Sequence, residues 1–190
     1  MTRLIFASTN ESKFNEILLR LNAHNIDIEF VKLETLEIQS DQLEDIAIQK
    51  SIDAFEKITR PLIVEDTGIF IESLKGFPGP YSAYVLATIG NKGILDLLSN
   101  RSDRSAFFRS VIAYKDSTDN VVFFGDTKGT ISENITEGGW GYDPIFIPEF
   151  SSLTYAQLGI TNKIAISHRT QALDSFAKWY HENHIGEQEI

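Results

Sequence analysis

Up to Val64 the chain alternates short apolar runs with amphipathic helical stretches, and few folds accommodate that order. Residues 4–7 form an apolar run, and after a polar turn Phe14, Ile17, Leu18 and Leu21 recur at helical spacing. Residues 28–33 read as a second strand, and Leu43, Ile46, Ala47 and Ala54 mark one face of a longer helix. A third strand, residues 62–64, follows. Strands joined through helices require crossovers, which favours an α/β sheet with covered faces.

The pattern changes after the turn-rich Lys75-Gly76-Phe77-Pro78-Gly79-Pro80. Residues 81–98 read as a helix, then 106–114 and 121–124 as paired strands joined by a hairpin connection at 116–120. Residues 129–132 continue the sheet, 144–147 give another short strand, and Ala172, Leu173, Phe176, Ala177 and Tyr180 line a closing helix. No repeat, low-complexity tract or linker interrupts this run, so residues 1–190 are expected to form a single domain of two lobes with a cleft between them. Residues 186–190 are polar and expected to fray.

A chain of 190 residues can bury a substantial core, and one without cysteine needs no oxidising compartment, which suits the cytoplasm. No apolar run approaches a membrane span, and the start, residues 1–7, is too short and too soon interrupted for a secretory signal. The expectation is a soluble protein without a membrane partner. A formal charge of −10 argues against binding a nucleic acid polymer, which takes many Lys and Arg contacts to phosphates. A small polyphosphate stays within reach of an acidic protein, given a divalent metal and a few well-placed cations.

Five clusters bear on chemistry. In Val64-Glu65-Asp66-Thr67-Gly68 two adjacent acids close an apolar strand and enter a Thr-Gly turn. Two like charges in a poorly solvated place resist ionising together, so the pair calls for a metal or a proton, unless it is simply a solvated strand end. Ser8-Thr9-Asn10-Glu11-Ser12-Lys13 joins the first strand to the first helix. It reads either as an anion site at a helix start or as an ordinary cap by Asn10 or Thr9, and it lacks the glycines of a Walker loop. Gly138-Gly139-Trp140-Gly141-Tyr142-Asp143-Pro144 offers close backbone approach and a flat aromatic face, or else a tight loop whose Trp plugs the core. Lys163, Ser167, His168 and Arg169 lie just before and at the start of the closing helix, where cations oppose the helix dipole and an anionic ligand would relieve the cost; Ser167 is equally a cap. Glu34, Glu37, Asp41, Glu44 and Asp45 precede and open the second helix, as dipole partners or as further metal ligands. His24, His181 and His184 show no ligand spacing and are expected at the surface.

Together and in this order, the clusters resemble those of the inosine triphosphate pyrophosphatases, also called dITP/XTP pyrophosphatases. Ser8-x-Asn10-x-x-Lys13 with Glu16, then Glu65-Asp66-Thr67-Gly68, then Gly76-x-Pro78-Gly79-x-Tyr81-Ser82 match successive motifs of that family. Trp140-Gly141-Tyr142-Asp143-Pro144 and Lys163 with Ser167-His168-Arg169 complete the set, and the resemblance runs from residue 4 to about 176. Two departures stand out: Glu11-Ser12 where relatives often carry Gly or Pro, and Trp140 where Phe is frequent.

The resemblance implies an elongated α/β molecule, its central mixed sheet flanked by helices and dividing two lobes around the substrate cleft, usually in a homodimer. It implies Mg²⁺-dependent hydrolysis of noncanonical purine nucleoside triphosphates (ITP, dITP, XTP) to monophosphate and pyrophosphate. Asp66 falls on the proton acceptor and metal ligand, Glu37 on the other ligand, with Glu34 or Asp41 as substitutes and Glu65 as an additional acid. Ser8 to Lys13 would hold the phosphates, with Lys50 adding a second cation and Thr67 a contact after the base. Trp140 would stack on the purine, while Gly141, Tyr142, Asp143, Lys163, His168 and Arg169 would read its edge. A pyrophosphatase for pyrimidine or modified nucleotides, and a non-catalytic nucleotide sensor, are the competing functions.

Overall fold

The structure, a computed structural model, describes residues 3–185; residues 186–190, expected to fray, lie outside the described residues. The first half reads β1 (Leu4–Ser8), α1 (Glu11–Ala23), β2 (Ile28–Lys32), α2 (Leu43–Ile58) and β3 (Leu62–Ile71). Then come β4 (Pro78–Gly79), α3 (Ser82–Thr88), α4 (Gly90–Leu97), β5 (Ser105–Lys115), β6 (Asn120–Ile131), β7 (Phe146–Pro148), α5 (Tyr155–Ile166) and α6 (His168–Tyr180). Seven strands make one sheet in the order β2-β1-β3-β5-β6-β7, with β4 added on β3. Strand β1 runs parallel to β2 and β3, Leu4 opposite Ile28 and Ile5 opposite Leu62, as strand-helix-strand crossovers require. Pairs β3–β4 and β6–β7 are antiparallel, so the fold is a mixed α/β sheet flanked by helices.

The chain divides into two compact units. The first runs to Asp66, resumes over Ser110–Gly125 and again from Arg169; the second comprises Thr67–Arg109 and Asp126–His168. Each has its own core. In the first, Phe6 and Ile63 of the sheet meet Ile17 and Leu21 of α1 and Leu173 and Phe176 of α6. In the second, Ile69, Ile71, Phe108 and Phe146 pack with Val85, Ile94 and Tyr155. Among the described residues no helix is long and apolar enough to cross a membrane.

Several elements differ from the sequence reading. The third strand does not stop at Val64 but runs to Ile71, so the acidic pair sits within it. Buried Ile69 and Ile71 continue the alternation past Gly68, and β4 pairs with this half of the strand. The expected helix over 81–98 is two helices, parted at Gly90, whose φ of +63° leaves the right-handed helical region. The two strands read at 121–124 and 129–132 are one, β6, and α5 was not anticipated at all. Helix α5 opens with a capping box of Thr154 and Gln157, a signal present in the sequence. The surface histidines are engaged as well: His24 Nε2 lies 2.9 Å from Asp174, His181 Nε2 lies 2.8 Å from the His24 carbonyl, and His184 packs on Tyr180.

Gly129 marks a close approach between strands of the sheet. A Cβ there would fall 2.2 Å from the Ile147 carbonyl oxygen of β7, so only glycine lets β7 close on β6. Gly129→Ala is therefore expected to destabilise the protein by about 1–3 kcal/mol in urea unfolding, and an unchanged midpoint would contradict this pairing.

Candidate active site

The site in the first unit is built from the end of β1, the start of α1, the connection before α2 with Lys50 within that helix, and the acidic pair within β3. Asn10 caps α1: its Oδ1 accepts from the Lys13 N–H at 3.0 Å, and its own N–H donates to Ser8 Oγ at 3.1 Å. The expected cap thus exists, and it leaves the remaining first-turn N–H groups, those of Glu11 and Ser12 among them, for solvent or an anion. Ser8 and Thr9 line a cavity of about 380 Å³ together with Glu34, Thr35, Glu37 and Lys50.

Successive side chains on a strand point to opposite faces, so the adjacent acids of β3 meet different partners. Glu65 is fully buried; one carboxylate oxygen accepts from Ser110 Oγ at 2.6 Å and faces the Arg169 guanidinium at 3.1 Å, while the other meets Lys13 Nζ at 2.5 Å. Burial alone would raise its pKa, but Arg169 and Lys13 outweigh burial and hold the carboxylate well below its ordinary range. Arg169 also pairs with buried Glu16 of α1. At the positive end of α6, Arg169 thus has Glu16 and Glu65 as its anionic partners.

Asp66 shows the opposite behaviour. Burial raises its pKa, and the neighbouring charges of Glu65 and Glu37 add to that, while Lys50 and Lys13 pull the other way without prevailing. Lys50 Nζ lies 3.5 Å from Asp66 Oδ1 and 2.7 Å from Glu37 Oε1. Burial opposes the Lys50 charge, yet Asp66 and Glu37 hold its pKa above the ordinary lysine value. Of the other acids before α2, Glu34 lines the same cavity, whereas Asp45 accepts from Ser40 Oγ at 2.9 Å.

Glu37 and Asp66 offer hard carboxylate oxygens around a position that already draws a cation, which fits a magnesium-type ion taking one or two carboxylates plus substrate phosphates. Glu65 does not join them, its oxygens being engaged by Lys13, Ser110 and Arg169. Among the described residues, the trio of ligand atoms within 4.8 Å of one another is instead Asp116, Asp119 and His184. There the Asp116 carboxylate already accepts from Tyr114 Oη and from the N–H groups of Thr118 and Asp119, closing the β5–β6 turn.

The second unit gathers the aromatic loop. Asp143 Oδ2 lies 2.8 Å from Lys163 Nζ, a buried pair, and that ammonium sits 4.7 Å from the centre of the Trp140 ring. The Gly141 carbonyl accepts from Asn91 Nδ2 at 3.0 Å, and Tyr142 Oη donates to the Ser82 carbonyl at 2.7 Å with its ring in the core. Lys163 belongs to α5, not to the connection before the closing helix. His168 is buried, its ring stacked on Phe108 at 4.5 Å.

Residues 4–179 match the Ham1 family. The chain belongs to that family. A Methanopyrus kandleri protein named dITP/XTP pyrophosphatase is 48% identical over 97% of this chain and 99% of its own. A Pyrococcus horikoshii protein of the same name is 44% identical, over 95% and 98%. Among solved structures, a HAM1 protein from Coxiella burnetii superposes with a TM-score of 0.84 at 29% identity, covering 96% of this chain and all of that one, and the Staphylococcus aureus Ham1 protein with 0.80 at 28%, covering 94% and 98%.

In this Ham1 chain the first unit brings together Ser8, Thr9, Lys13, Glu37, Lys50, Glu65 and Asp66, and the second Trp140, Asp143 and Lys163. Sequence reasoning had no role for Glu16 beyond its motif and none for Ser110, the partners that fix Arg169 and Glu65. A charged residue at helical spacing beside buried Ile17 was the available signal for Glu16; Ser110 gave none. Arg169→Met leaves two buried carboxylates with too little positive charge and is expected to cost about 3–5 kcal/mol in urea unfolding. A midpoint near that of the wild type would mean that the network does not hold the unit together.

Proposed function

We propose that this Ham1-family protein is a Mg²⁺-dependent pyrophosphatase that converts ITP, dITP or XTP to the monophosphate and pyrophosphate, clearing noncanonical purines from the nucleotide pool. The observation that carries this reading is the Glu37, Lys50 and Asp66 arrangement beside a 380 Å³ cavity that takes in the end of β1. The relatives named dITP/XTP pyrophosphatase, matched over nearly their whole length, support the substrate class.

Glu37 and Asp66 would hold the cation. Bound there, Mg²⁺ lowers the pKa of water and offsets the charge of a phosphate chain. Asp66 would orient the attacking water and accept its proton, a task suited to a carboxylate whose pKa burial has raised. Ser8, Thr9, Asn10, Glu11, Ser12 and Lys13 hold the phosphates through hydroxyls, first-turn N–H groups and the Lys13 ammonium, Lys50 adds charge, and Thr67 touches the substrate beside Asp66. Glu65 orients Lys13 rather than ligating metal.

The base is read by the second unit's loop. Trp140 stacks on the purine, and the Gly141 to Asp143 backbone, Asp143, Lys163 and His168 meet its edge, while Arg169, clamped by Glu16 and Glu65, fixes the residue before it. Hypoxanthine and xanthine present a 6-oxo acceptor beside a protonated N1, and adenine reverses both. Polar groups set for the first pattern are left unpaired by the second, enough for discrimination of several powers of ten. The same reading takes the enzyme as a cytoplasmic homodimer.

The test is product release from ITP, XTP, dITP and ATP with and without Mg²⁺, with pyrophosphate and orthophosphate assayed separately. Metal-dependent pyrophosphate from the 6-oxo purines and little from ATP is expected; orthophosphate alone would contradict the reading. Asp66→Asn is expected to lower turnover by about 10²- to 10⁴-fold with nucleotide binding retained, and near-normal turnover would remove Asp66 from its role.

A further inference from the structure

We propose that Lys50 is a placeholder cation: its ammonium keeps Glu37 and Asp66 together in the nucleotide-free protein, yields them to the divalent ion, and turns to the phosphates of the arriving triphosphate. This rests on the reading that Glu37 and Asp66 hold the ion.

Three observations lead there. First, the ammonium lies against both carboxylates, at 2.7 Å from Glu37 and 3.5 Å from Asp66, so it stands where a shared cation would. Second, the parts can move: the Glu37 side chain is 66% exposed, lysine carries its charge on a flexible four-carbon stem, and Lys50 and Glu37 line the same cavity. Third, Lys13, the other cation near the site, meets Glu65 at 2.5 Å inside the Arg169 network, so Lys50 is the ammonium in contact with both Glu37 and Asp66.

The charge balance sets the direction. Two carboxylates around one ammonium carry a net −1, and a divalent ion makes the pair neutral. The displaced ammonium, only 13% exposed, then lacks an anion until a polyphosphate supplies one. Lys50 therefore opposes the ion when no nucleotide is present and supports it when one is. By linkage the ion and the nucleotide strengthen each other's binding through this side chain.

The experiment is titration of Mn²⁺, followed by electron paramagnetic resonance of the free ion, into the wild type, Lys50→Met, Lys50→Gln and, as a control for loss of a lysine away from the site, Lys92→Met, whose side chain is exposed and paired with Asp96; each is first shown by thermal melting to be folded. Without nucleotide, both Lys50 variants are expected to bind Mn²⁺ about tenfold tighter than the wild type, equivalent to about 1.4 kcal/mol, and Lys92→Met within about threefold. With the α,β-methylene analogue of ITP present, Mn²⁺ binding should tighten more in the wild type than in Lys50→Met. Equal or weaker binding by the Lys50 variants, equal tightening by Lys92→Met, or no Mn²⁺ bound by any of the proteins would overturn the proposal. If the wild type still releases pyrophosphate from ITP with Mg²⁺, such a result overturns the exchange alone; no pyrophosphate from the wild type would overturn both readings.

Discussion

One buried guanidinium organises the first unit. Arg169 lies in the interior with Glu16 and Glu65, and Lys13 completes the set with a second positive charge. Any one of these ions alone would be costly to bury, and the network is tolerable because two positive and two negative charges meet at hydrogen-bonding distance. Its members come from α1, β3 and α6, with Ser110 of β5 as a neutral partner, so these elements settle together. The start of α1 and its lysine are thereby fixed beside β3.

The pleat of β3 turns that scaffold into a site. Glu65 is drawn into the network and held ionised far below its ordinary pKa, which removes it from proton chemistry near neutral pH. Asp66, one residue on, meets Lys50 instead, and burial together with like charges shifts it upward. Neighbouring carboxylates of nearly the same intrinsic acidity are thus driven apart, Glu65 downward and Asp66 upward, which is the basis for proposing a structural role for the first and proton transfer for the second.

Much of this was legible in the sequence. The parallel pairing of β1, β2 and β3 followed from alternating strand and helix patterns, and the polar clusters at Ser8 to Lys13 and at Glu65-Asp66, singled out in the sequence, lie together in the candidate site. The sequence could not show which acid faces which cation, because that depends on strand phase and on residues distant in the chain; Arg169 and Glu16 are 153 positions apart. Boundaries failed where local signals conflicted with packing. Thr67-Gly68 reads as a turn, yet Ile69 and Ile71 keep the strand extended. Residues 155–166 carry little helical amphipathicity, and the backbone kinks at Gly159, so periodicity passed over α5. The capping box at Thr154 was the better signal there.

The division of labour between the adjacent acids is the central claim, and paired unfolding measurements test it most directly. Urea midpoints of Glu65→Gln and Asp66→Asn would be compared with the wild type near neutral pH. Loss of the Glu65 charge should leave Arg169 and Lys13 under-neutralised and cost about 3–5 kcal/mol, whereas loss of the Asp66 charge should leave the midpoint unchanged or raised. A stable Glu65→Gln protein beside an unfolded Asp66→Asn protein would contradict the account.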